Sequence, residues 1–129
     1  MKKSDAEGAF CRLPVADRGQ RTADLRALLT GALIARARVV DGVRWILRAT
    51  PAIEAESHRL ASLEARCCDG VRFLVVHEGD HVVWRISGPP ESKAALDAFY
   101  TLPVLVQTDE GAEALWNTLD AAACKSIPD

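Results

Sequence analysis

From residue 25 the apolar side chains recur as Leu25, Leu28, Leu29 and Leu33, the spacing of one helical face, with Asp17 or Thr22 available as a cap. The period then changes. In ARARVVDGVRWILRAT, apolar and polar residues alternate as in strands, and the alternation reverses around Asp41-Gly42. A three-residue loop, Val40-Asp41-Gly42 with Gly42 left-handed, would pair Val39 with Val43 and Ala37 with Trp45. That register collects one apolar face and sends Arg36, Arg38, Arg44 and Arg48 to the other. A two-residue Asp-Gly loop would set Arg38 opposite Trp45 on the face to be buried, so the three-residue loop is preferred.

The pattern then repeats. Pro51 can open a second helix with Ile53, Leu60, Leu63 and Cys67 near one stripe. VRFLVVHEGDHVVWRIS reads as a second hairpin turning at Glu78-Gly79, with Val75 opposite Val82, Phe73 opposite Trp84 and Val71 opposite Ile86. Pro89-Pro90 stops the sheet and starts a helix through Leu96 and Phe99, which Pro103 should break. Thr108 is a suitable N-cap for a last helix carrying Leu115, Trp116 and Leu119. The order α-ββ-α-ββ-α-α predicts an α+β fold: a four-stranded antiparallel sheet from two hairpins, with helices packed on one face. Residues 1–129 read as a single domain, and the polar, small residues at 1–12 as a flexible arm carrying Cys11.

Composition narrows the uses of this fold. Hydrophobic content is 49% and charged content 26%, ordinary for a globular protein, and 16 basic against 18 acidic residues give a net charge of −2. Whole-molecule electrostatics therefore give no push toward nucleic acid or an acidic membrane surface. No apolar run approaches the ~20 residues of a membrane span. No apolar stretch follows the basic start MKK as in a signal peptide, so the expected location is cytoplasmic, with its four cysteines mostly reduced.

Cys67 and Cys68 carry the most distinctive chemistry. Adjacent α-carbons lie ~3.8 Å apart, short of the usual disulfide range, so each thiol would more readily pair with Cys11 or Cys124, or share a soft ion. Three thiolates would suit trivalent arsenic, mercury or cuprous ion. Structural zinc fits less well, because its usual spaced C-x₂-C pairs are missing. Glu64, one turn back, is the adjacent carboxylate. The competing reading is core filling, with Cys67 in step with Leu60 and Leu63 and Cys68 at the helix edge beside Glu64. On the first reading Cys11 should lie near the pair and Cys124 apart.

Taken together, Cys11, Asp41-Gly42, Glu64, Cys67, Cys68, Phe73 and Gly88-Pro89 resemble a group of small, largely uncharacterised bacterial proteins. That group carries an N-terminal cysteine and a central Glu-x-x-Cys-Cys-Pro-Phe-Leu motif. Here Asp69-Gly70-Val71 replaces its Pro-Phe-Leu. The resemblance implies that Cys11, Cys67 and Cys68 act as a set, in metal or metalloid stress.

Arg36, Arg38, Arg44, Arg48, Arg72 and Arg85 form the second constellation, all expected on the outer sheet face. Such a face could take an anion or an acidic partner. With Trp45, Phe73 and Trp84 turned inward it lacks the stacking platform of a single-strand binder, so no specific nucleic acid is expected. Any polyanion binding should be weak and salt-sensitive. His77 and His81 should point to opposite sheet faces, against a metal pair. Templates for nucleotide, hydrolase and metalloprotease chemistry are missing, which favours a binding protein over an enzyme. The expected function is soft-metal or metalloid binding through Cys11, Cys67 and Cys68, with Glu64 behind them and a thiophilic ion as the ligand. The alternative is an interaction module using the arginine face; a homodimer is compatible with either.

Overall fold

The computed structural model describes residues 13–126, with side chains through residue 121. The arm carrying Cys11 and the side chain of Cys124 lie outside the described residues. The elements run α1 (Val15–Ala32), β1 (Leu33–Val39), β2 (Gly42–Arg48), α2 (Pro51–Cys67), β3 (Arg72–Glu78), β4 (His81–Ser87), a 3₁₀ turn (Pro90–Ser92), α3 (Lys93–Leu105) and α4 (Asp109–Ser126). The four strands form one antiparallel sheet in the order β1-β2-β4-β3, so the fold is α+β.

Several starts and stops are written locally. Pro51 opens α2, and the Thr50 side chain accepts from the Ile53 amide at 3.1 Å. Thr108 Oγ1 accepts from the Gly111 amide at 2.9 Å and caps α4. Thr22 is no cap. It sits buried inside α1, where its hydroxyl accepts from Trp116 Nε1 at 3.0 Å and ties α1 to α4.

The core lies between the sheet and its helices. Val43, Trp45 and Leu47 on β2, Val82, Trp84 and Ile86 on β4, and Val75 on β3 are all buried on one face. Trp45 sits directly opposite Trp84, their ring centroids 5.0 Å apart and tilted by 40°. Phe73 meets Phe99 of α3 edge-on at 5.3 Å.

Pro103 does not break its helix, which runs two residues further. A proline near a helix end removes one amide, the one that would serve the carbonyl four residues back. That carbonyl belongs to Phe99, and Trp45 Nε1 donates to it at 3.2 Å. The sheet thus supplies the hydrogen bond the helix lacks. Trp45→Phe is expected to cost about 1–3 kcal/mol, because the buried carbonyl is left without a donor. Adding Pro103→Ala should recover part of the loss in urea unfolding, since an amide at 103 can serve Phe99.

Both hairpins turn through two residues. In the second, Glu78 pairs with His81, Val75 with Trp84 and Phe73 with Ile86. The expected pairing is off by two residues, so every side chain keeps its face. In the first, Val39 pairs with Gly42 and Arg36 with Trp45, one residue from the three-residue-loop register. A shift of one reverses β1. Arg36 and Arg38 therefore lie on the helix side, and Ala35 and Ala37 on the outer side. The reason is tertiary. Both guanidinium groups stack on Tyr100 of α3, at 4.3 and 4.2 Å from its centroid; Arg36 also donates to the Tyr100 carbonyl and Arg38 to Asp97 at 2.6 Å. Lys93, and with it Arg38, holds the Asp97 carboxyl below its usual range. At the edge of the sheet, arginine stems and a tyrosine ring do the work expected of aliphatic residues.

Candidate thiol site

Helix α2 buries the stripe Ser57, Leu60, Ala61 and Glu64, and Cys68 continues it at the C-cap. This reverses the expected roles of the two cysteines: Cys68 is 3% exposed and Cys67 only half-buried. The four-residue step from Glu64 carries the stripe to Cys68, and Leu63 and Cys67 lie at its margin. The Cys68 thiol does lie beside Glu64, donating toward Oε1 at 3.6 Å.

Opposite Glu64 stands Arg21 of α1. Its Nη1 donates to Glu64 Oε2 at 2.6 Å, and its Nη2 points at the Cys67 sulfur from 3.8 Å. Arg21 is 6% exposed and Glu64 4%. The four groups form one chain of contacts, Cys67 to Arg21 to Glu64 to Cys68. Burial pushes the Glu64 carboxyl up from its usual range, and the guanidinium opposes that rise. The guanidinium thus sets a positive charge against one sulfur, and a carboxylate oxygen accepts from the other thiol.

Arg21 is the site residue that the spacing rules passed over. Its signal is its position: it precedes Leu25, Leu28 and Ala32 at steps of four, three and four, on the buried face of α1. An arginine in a core stripe requires an acid beside it.

Immediately after the pair, Asp69-Gly70 turns the chain with Gly70 at φ 81°, a conformation that favours glycine. Among the described residues, no group of three His, Cys, Asp or Glu side chains is placed to hold a metal ion. A third ligand would have to come from elsewhere, and Cys11 lies outside the described residues.

No protein-family model, curated protein or solved structure matches this chain. Its chemistry is therefore read from its own residues.

The six arginines separate. Arg36 and Arg38 belong to the helix side, as described above, which corrects their expected place on the outer face. Arg48 donates to the Gly31 carbonyl near the end of α1, and Arg85 reaches Glu78 at 2.6 Å. Arg44 and Arg72 make no ion pair among the described residues. His77 has the parity of Phe73 and Val75 and bonds Glu54 Oε1 at 3.0 Å, which raises its pKa; His81 has the opposite parity. The two histidines do not form a metal pair.

Proposed function

We propose that the protein binds a thiophilic metal or metalloid ion through Cys67 and Cys68, with Cys11 as the third sulfur. The observation that carries this reading is the Arg21–Glu64 pair, buried and in contact with both sulfurs. Cysteines that only fill a core need no ion pair beside them, and burying one is costly. Here the guanidinium sets a positive charge against the Cys67 sulfur, and Glu64 holds the Cys68 thiol by its hydrogen bond. Arsenous acid fits this donor set: three thiols replace its three hydroxyls and release three waters. The half-buried Cys67 is the point of entry. Cys68 lies at the helix C-cap, two residues before the Gly70 turn.

Titration with arsenite or mercuric ion tests the reading in the full chain. Cys11→Ser, Cys67→Ser and Cys68→Ser should each weaken binding at least ~10-fold, the scale that losing even an outer-shell partner of a ligand reaches. Cys124→Ser should bind as the wild type does. Equal affinity in all four variants would overturn the proposal and leave the pair as core.

A further inference from the structure

The sheet face turned away from the helices has no cover among the described residues, and it is built in rows. Ala35, Ile46, Val83 and Val76 form one row across the strands; Ala37, Arg44, Arg85 and Leu74 form the next. Leu74 is 50% exposed. Arg85 reaches along the sheet to Glu78, so its stem passes over the apolar row and Val83 beneath is buried.

Two features of this face lack an explanation among the described residues. Arg44 lies directly opposite Arg85 across the β2–β4 ladder, a like-charge pairing that disfavours the sheet. In addition, the Nε of Arg44 is buried and has no hydrogen-bond acceptor among the described residues. Arg72, which makes no ion pair among the described residues, adds a further cation on the same face, and Glu78 is the one carboxylate that the described strand residues place there. A positive, partly apolar face thus stands on a chain whose net charge is −2.

We infer that this face docks an acidic amphipathic helix of a partner protein. Its apolar side would cover the Ile46–Val83–Val76 row and Leu74, and its carboxylates would meet Arg44, Arg85 and Arg72. The two rows lie two residues apart along the strands, ~7 Å, within the ~10 Å breadth of one helix. A helix there would add a third layer to the two already packed. A second copy of the chain fits poorly, since face-to-face packing would set arginines against arginines. Nucleic acid fits poorly as well, because Trp45, Trp84 and Phe73 all lie on the covered face.

The test uses the full chain and a synthetic amphipathic peptide, leucine on one side and glutamate on the other. It should bind, and Arg44→Gln and Leu74→Asp should each weaken binding about fivefold or more. Arg44→Gln should also raise the Tm of the free protein by relieving its opposition to Arg85, which a merely structural arginine would not do. Circular dichroism verifies that both variants fold, and arsenite binding should not change in either. Four results would overturn the inference: a lysine version of the peptide binding equally well, both variants binding as the wild type does, oligothymidylate binding tighter than the acidic peptide, or self-association that the same substitutions abolish.

Discussion

Arg21→Leu should destabilise the protein by about 3–5 kcal/mol near pH 8, the range for removing one partner of a buried ion pair. The leucine leaves Glu64, 4% exposed, facing the Cys68 thiol without a counter-charge. The loss should depend on pH with a definite sign. Burial already raises the Glu64 pKa above its ordinary 4.5, and without the guanidinium only the Cys68 thiol hydrogen bond opposes that rise. A group whose folded pKa is raised contributes fully below its unfolded pKa, and its contribution disappears as pH rises through the folded value. The variant should therefore be closest to wild type near pH 4–5 and fall behind as pH increases. Adding Glu64→Gln should remove this pH dependence and return much of the stability. Urea unfolding of the wild type, the single variant and the double variant at pH 5 and pH 8 checks all three statements. A loss equal at both values would mean that Glu64 is not charged beside Arg21.

Gly42→Ala is the second large effect, expected at about 3 kcal/mol, the upper end for overpacking. A Cβ at Gly42 would lie 1.8 Å from the Ile86 carbonyl oxygen, which is backbone in the central strand β4 and cannot step aside. The same corner is closed by the Gly88 amide donating to the Asp41 carbonyl at 3.1 Å, so moving the hairpin strains two connections at once. Gly19→Ala is the contrast. Nothing lies within 4 Å of a Cβ there, and the site is inside α1, so the change should stabilise by ~0.5–1 kcal/mol. Thermal unfolding of the two variants side by side should move in opposite directions.

Gly42 also separates what could be read locally from what could not. The chain must turn near Asp41-Gly42, and any reading of the alternation places a reversal there. The turn itself uses Val40 and Asp41, and Gly42 belongs to β2, paired with Val39. Its glycine answers to the close approach of Ile86, a residue 44 positions away in the chain. Hairpin register from sequence rests on gathering apolar side chains, and that criterion fails where a face is covered by something other than apolar side chains.

Period-two alternation by itself determined which residues of β2, β3 and β4 face the core, because an error of two in register moves no side chain across the sheet. Pro51 with Thr50, and Thr108, likewise determined two helix starts from groups within four residues of each other. The burial of Cys68 rather than Cys67, the entry of Arg21 and the side taken by Arg36 and Arg38 were decided only in the tertiary structure. Each depends on a partner on another element: Glu64 of α2 for Arg21 of α1, and Tyr100 of α3 for the arginines of β1. A charged side chain is placed by its counter-charge or by the ring that covers its stem. Neither is visible in the periodicity of its own segment.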